Sequence, residues 1–329
     1  MKQYYPYLDQ MKGLAILLMV MAHTLSWSCP DYSSLSGSLR GMTPEVFNTA
    51  VILKIIYSFH MHLLFFVSGF LFYKVNVKYD AATIKMQLRK RASRLLIPYI
   101  TTGIFVYYLR GYFGYWFFMV LFVLNIVVLC ELYFINKVQF SLIVEHISHT
   151  ITFVILFVAC RLLKDDFPKE IPQLSRLSAY YLVFMFGYSI HKYKDLELFI
   201  KEPMTHLISI IAYITLMIIG NYYNVMGVLS ILIPIFAISF LYVFFTTTDI
   251  KVLGGGGKCS MEIYIFHLFF VMAIPEVGAY IMKQSNFPLS ISIQLTYSLI
   301  VSAIAIFFSM VCGKLVKSNR YISKLVLGV

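Results

Sequence analysis

Residues 51–73 read VILKIIYSFHMHLLFFVSGFLFY, an apolar stretch carrying one cation, Lys54, after which the chain turns abruptly basic. The next segment carries Lys74, Lys78, Lys85, Arg89, Lys90, Arg91 and Arg94 against a single acid, Asp80. About 20 apolar residues are what an α-helix needs to cross ~30 Å of hydrocarbon at ~1.5 Å per residue. A dense cationic run beside such a stretch marks the cytoplasmic side. This segment therefore predicts a helix that crosses the bilayer inward and a loop that stays inside.

The same pattern extends along the chain. Apolar stretches predict spans near 8–27, 51–73, 94–110, 115–134, 146–163, 178–191, 205–221, 225–247, 259–282 and 290–313. Ten spans place both termini in the cytoplasm and sort 19 of the 27 lysines and arginines to that side. The expected fold is an all-α polytopic membrane protein, a bundle of about ten transmembrane helices forming one domain over residues 1–329.

Composition agrees, with 60% hydrophobic and 13% charged residues, against about 45–50% and about 25% in soluble domains. The formal charge of +12 lies in short runs between spans. No basic domain is left to lie along a nucleic acid, so the partner it implies is the lipid bilayer. The five cysteines have no paired spacing that would make a disulfide or zinc framework. The N-terminal stretch reads as a retained helix, because Asp9 and His23 interrupt a signal-like pattern and no small-residue cleavage site follows. Gly254–Lys258 lacks phosphate-loop spacing, since Val252 stands where the first glycine belongs and Cys259 follows the lysine.

Ionisable groups inside a span cost on the order of 2.5–3.5 kcal/mol each and point to function by default. The first span holds Asp9, Lys12 and His23. Eleven residues make three helical turns plus roughly 20° and a rise of about 16 Å, so Lys12 and His23 share one face. Asp9, one turn before Lys12, is placed to pair with it. His60 and His62 are about 200° apart around the second span, so only one faces the side that His23 faces; His60 falls at a depth like that of His23. Metal ligation would want histidines three or four apart or added carboxylates or thiolates, and no such set is visible. His267, with Glu262 below it, reads either as a proton-relaying pair or as a structural polar pair. Trp116, beside Tyr115, reads either as part of the interfacial aromatic belt or as a platform for a sugar ring.

Five segments, taken together, resemble the membrane acyltransferase-3 family. DQMKGLAILLMVMAH (9–23) resembles its first-helix signature, a basic residue, ten others, then histidine. Lysine in place of the commoner arginine is similar to the branch of fucose 4-O-acetylase-like proteins. FHMHLLFFVSGF (59–70) is similar to that branch's second-helix motif, departing from it at His62, where proline is usual. RASRLLIPY (91–99), YWFF (115–118) and GKCSMEIYIFH (257–267) resemble the third-helix, fourth-helix and late motifs, in family order. Residues from about 135 to 255 carry no matching motif.

The resemblance implies about ten helices in the inner (plasma) membrane of a bacterium. It also implies an acyl-CoA donor, such as acetyl-CoA, taken from the cytoplasm, and O-acylation of a surface or lipid-linked saccharide. By position it makes His23 catalytic, with Lys12, Arg91 and Arg94 on the donor side and no resident cofactor or metal. The residues suit that chemistry, because cations can receive coenzyme A phosphates and a histidine near neutrality can deprotonate a sugar hydroxyl. His60 or Ser68 is expected to orient the reactants, and Asp9, Trp116, Tyr264 and His267 are further pocket candidates. The alternative is a transporter or flippase for a lipid-linked sugar, which also uses intramembrane His, Lys and Asp. No internal repeat supports it.

Overall fold

The computed structural model describes residues 4–29, 35, 37–75, 77–111, 114–138, 142–163, 166, 172–223 and 225–329. Within the two loops expected on the outer side, 28–50 and 164–177, residues 30–34, 36, 164–165 and 167–171 lie outside the described residues. In chain order the helices are α1 (Pro6–Ser28), α2 (Pro44–Phe72), α3 (Ala81–Arg110), α4 (Trp116–Val138), α5 (Leu142–Leu162), α6 (Leu177–Lys192) and α7 (Lys194–Lys201), then α8 (Pro203–Tyr222), α9 (Met226–Thr247), α10 (Lys251–Lys258), α11 (Ser260–Phe270), α12 (Pro275–Ile281), α13 (Phe287–Lys317) and α14 (Arg320–Leu327). No strand occurs among the described residues. In hydrocarbon a helix satisfies its own backbone groups, so an all-helical fold is what the composition demands.

Seven helices are long and apolar enough to cross a membrane: α1, α2, α4, α5, α8, α9 and α13. The apolar faces of α5 and α8 stay exposed, for example Ile147, Ile151 and Ile155, then Ile211 and Ile218. Such surface is stable against lipid and not against water. The other three of the ten expected spans differ, each for a local reason. The ninth is broken, because α11 ends at Phe270 and α12 leaves at 96° after a four-residue gap. Pro275 opens α12; it has no N–H to donate and disfavours helical backbone at Ile274. Counting that bent pair as one span makes eight. The third expected span is the second half of α3, whose first half carries the basic run. The sixth is α6, whose 16 residues rise about 24 Å, less than the ~30 Å hydrocarbon core.

The chain forms two compact units, residues 1–70 with 186–313 and residues 71–185 with 314–329. In the first unit α1 is largely buried and crosses α10 at very short range. A Cβ on Gly13 would fall 2.0 Å from the Leu253 carbonyl oxygen, and one on Gly257 would fall 1.7 Å from that of Asp9. Neither backbone can give way cheaply, so Gly257→Ala should destabilise the protein by at least ~1–3 kcal/mol. Gly255 is also helical, yet a Cβ there would meet nothing within 4 Å. Gly255→Ala should therefore stabilise by roughly 0.5–1 kcal/mol through helix propensity. Thermal unfolding in detergent checks this reversal of sign between two glycines on opposite faces of one turn.

Orientation is testable in the same framework. Lys85 and Arg40 are both exposed. Single cysteines there, in a background without the native cysteines, should label from opposite sides with an impermeant thiol reagent. Labelling of both positions from outside would contradict a cytoplasmic basic segment.

Candidate active site

Three histidines from three helices meet inside the first unit: His23 on α1, His60 on α2 and His267 on α11. The His23 and His267 rings stack with centroids 5.4 Å apart and planes inclined by 27°. His60, also buried, lies near His23. Each flanking ring is fixed by its own helix. His60 Nδ1 donates to the Ile56 carbonyl at 2.7 Å, and His267 Nδ1 donates to the carbonyls of Tyr264 at 2.8 Å and Ile263 at 3.1 Å. A carbonyl only accepts, so Nδ1 carries the proton in both neutral rings and Nε2 presents a lone pair. His267 Nε2 is buried with no hydrogen-bond partner among the described residues.

His23 differs from both. Among the described residues its ring nitrogens make no hydrogen bond, so both are available to a ligand. From Met19 to Cys29 every residue is buried except His23 and Trp27, which are half-buried. The Trp27 ring lies one turn along α1, its centroid 5.0 Å from that of His23. Residues four apart share a helix face, so Trp27 was within reach of sequence reasoning, which passed over it in favour of Trp116. No three His, Cys, Asp or Glu side chains among the described residues are placed to hold a metal ion.

The other candidates fall in different places. Lys12 and Asp9 form an ion pair at 2.6 Å, and the Tyr4 hydroxyl donates to the same carboxylate at 2.9 Å. Ser68 donates to the Leu64 carbonyl at 2.8 Å; it stands eight residues from His60, about 12 Å along the helix. Tyr264 backs His267 at a ring separation of 6.0 Å. Glu262 is not the hydrogen-bond partner of His267. It packs against α13, where a Cβ on Gly313 would fall 2.4 Å from its Cγ. Five residues along a helix turn the side chain about 140°, which separates the two. In the second unit Trp116 stacks on Tyr180 at 6.0 Å.

The second unit also holds a basic cavity of about 730 Å³, lined by Lys85, Arg89, Lys90 and Arg94 of α3 and by Gly328 and Val329 beyond α14. The lining positions recur every three or four residues from Ala82, one face of a helix. Arg91 projects from the opposite face. Its guanidinium donates to Asn125 Oδ1 at 2.5 Å and lies over the Phe72 ring at 4.2 Å. Of the two arginines expected on the donor side, Arg94 lines this cavity and Arg91 is engaged in packing.

A family model described as an acyltransferase domain, of the acyltransferase-3 type, matches residues 5–316. The chain belongs to the acyltransferase-3 family. No curated protein and no solved structure matches it. The protein is thus a multi-pass membrane acyltransferase, and the family match includes His23, His60, Arg94 and His267 alike.

A further buried polar cluster of this acyltransferase belongs to the second unit and was not singled out from the sequence. Glu131 Oε1 accepts from His149 Nδ1 at 2.8 Å and Thr152 at 2.9 Å, and Oε2 accepts from the Tyr181 hydroxyl at 2.8 Å. Both carboxylate oxygens are satisfied, which ties α4, α5 and α6 together and accounts for a buried acid in a span.

Proposed function

We propose that this acyltransferase moves an acyl group, acetyl in the first instance, from cytoplasmic acyl-CoA to a hydroxyl of a surface or lipid-linked saccharide. The observation that carries the reading is His23: an imidazole in the outer third of α1 with both ring nitrogens unengaged among the described residues, near two histidines whose Nδ1 protons are committed to backbone carbonyls. A ring nitrogen of neutral His23 accepts the hydroxyl proton as the sugar oxygen bonds to the thioester carbonyl carbon. The carbonyl electron pair moves onto oxygen, the tetrahedral adduct collapses, and the carbon–sulfur bond breaks. Coenzyme A leaves as thiolate and takes the proton from the His23 imidazolium, which restores the neutral base.

The cavity lined by Lys85, Arg89, Lys90 and Arg94 supports an anionic donor. Phosphates are well received by clustered lysine and arginine, and about 300–1,000 Å³ is the ordinary range for a ligand site. Lysine at position 12 supports the fucose 4-O-acetylase-like branch. The cation distribution supports cytoplasmic termini, and the family resemblance supports a bacterial plasma membrane.

One observation favours the transporter or flippase reading, namely the span broken between α11 and α12, since discontinuous helices often line transport sites. Membership in an acyltransferase family weighs against it. Mass spectrometry of surface glycans from cells with and without the protein separates the two. Ester groups present only with the protein are expected; equal ester content would refute the proposed activity.

A further inference from the structure

We infer that His23, Trp27 and His267 frame the acceptor site, and that this site takes a neutral, hydroxyl-rich sugar ring stacked on Trp27. The inference rests on the acyl-transfer reading above and adds where the acceptor sits and what chemistry selects it.

The half-buried pair His23 and Trp27 is the only break in the buried run from Met19 to Cys29, so a ligand that reaches His23 also meets the indole. A flat aromatic face favours the C–H face of a pyranose, and the indole is the largest such surface a side chain offers. The polar contacts point the same way. His267 is 2% exposed and keeps an unmet Nε2 lone pair, which is a costly arrangement unless a ligand donor completes it. His60 presents the same chemistry, with Nδ1 bound to Ile56. Two acceptor nitrogens suit hydroxyl donors and repel a carboxylate or phosphate. The cation on α1, Lys12, stands about 16 Å away along the helix and is paired with Asp9. With the ring held by Trp27 and one hydroxyl donating to His267, the hydroxyl left facing His23 is the one acylated. Trp27 and His267 thereby set the position modified.

The test uses the full-length protein in liposomes, acetyl-CoA as donor, and surface glycan from the producing cell, de-esterified with alkali, as acceptor. Trp27→Ala should raise the acceptor KM roughly tenfold to thirtyfold, as expected for truncating a central aromatic anchor, while the donor KM moves less than about twofold. Trp27→Phe should recover most of the loss. His267→Phe keeps the ring against His23 but removes the lone pair, and it should raise the acceptor KM and scatter the ester over more than one hydroxyl. If wild type is active and Trp27→Ala leaves the acceptor KM unchanged, the acceptor site is wrong and the acyl-transfer reading stands. If wild type forms no glycan ester, the acyl-transfer reading itself fails. Fragmentation of the product by mass spectrometry should place the ester on a neutral sugar, and an ester on a uronic acid would overturn the proposed selectivity.

Discussion

His23→Ala is expected to lose about 10²–10⁴-fold in turnover, the usual contribution of a positioned general base, while still folding and binding acyl-CoA. The residue makes no hydrogen bond among the described residues, so removing its ring breaks no such bond, and the loss should fall on chemistry. His23→Gln should do no better, because an amide hydrogen-bonds a hydroxyl but does not take its proton. His60→Ala should cost less than His23→Ala, since its role is to orient. The check is turnover in matched amounts of monodisperse protein. Retention of more than about a tenth of wild-type turnover in His23→Ala would move the base elsewhere, with His267 Nε2 the next candidate.

The two arginines of the 91–94 segment should separate in kind. Arg94 lines the basic cavity, so Arg94→Glu removes an attraction and adds a repulsion toward donor phosphates. A charge-assisted contact is worth roughly 1.5–3 kcal/mol, which is about tenfold to a hundredfold in donor affinity. Arg91 instead bonds Asn125 and covers Phe72. Arg91→Glu should leave the Asn125 carbonyl without its donor and lower the melting temperature, with a smaller effect on donor affinity in the protein that remains folded. Direct binding of acyl-CoA and thermal unfolding, measured on both variants, form the comparison. Equal loss of donor affinity without loss of stability in Arg91→Glu would return both arginines to the donor site.

What could be read from the chain alone follows its periodicities. Runs of apolar residues located the seven helices able to cross a membrane, and the 3.6-residue repeat placed Asp9 beside Lys12, now seen as an ion pair. The helical repeat also separates residues that are close in sequence. Arg91 and Arg94 entered as one motif, although the helical repeat that groups Lys90 with Arg94 puts Arg91 on the far side. The same repeat separates Glu262 from His267. The break at 271–274 was hidden because Val271, Met272, Ala273 and Ile274 are apolar, and hydropathy does not register a bend. The meeting of His267 with His23 is a tertiary fact between residues 244 positions apart, and no local pattern encodes it. Trp27 was legible and missed, because an aromatic near the end of a span has an ordinary explanation in the interfacial belt.

The central claim, that a thioester acyl group passes to a saccharide hydroxyl with His23 as base, is tested most directly by following both products at once. The purified protein in liposomes is given acetyl-CoA and de-esterified surface glycan, and free coenzyme A thiol and glycan ester are measured over time. The account predicts one thiol released for each ester formed, release that depends on the glycan, and loss of both in His23→Ala. Glycan crossing the liposome membrane with neither thiol release nor ester formation would contradict it.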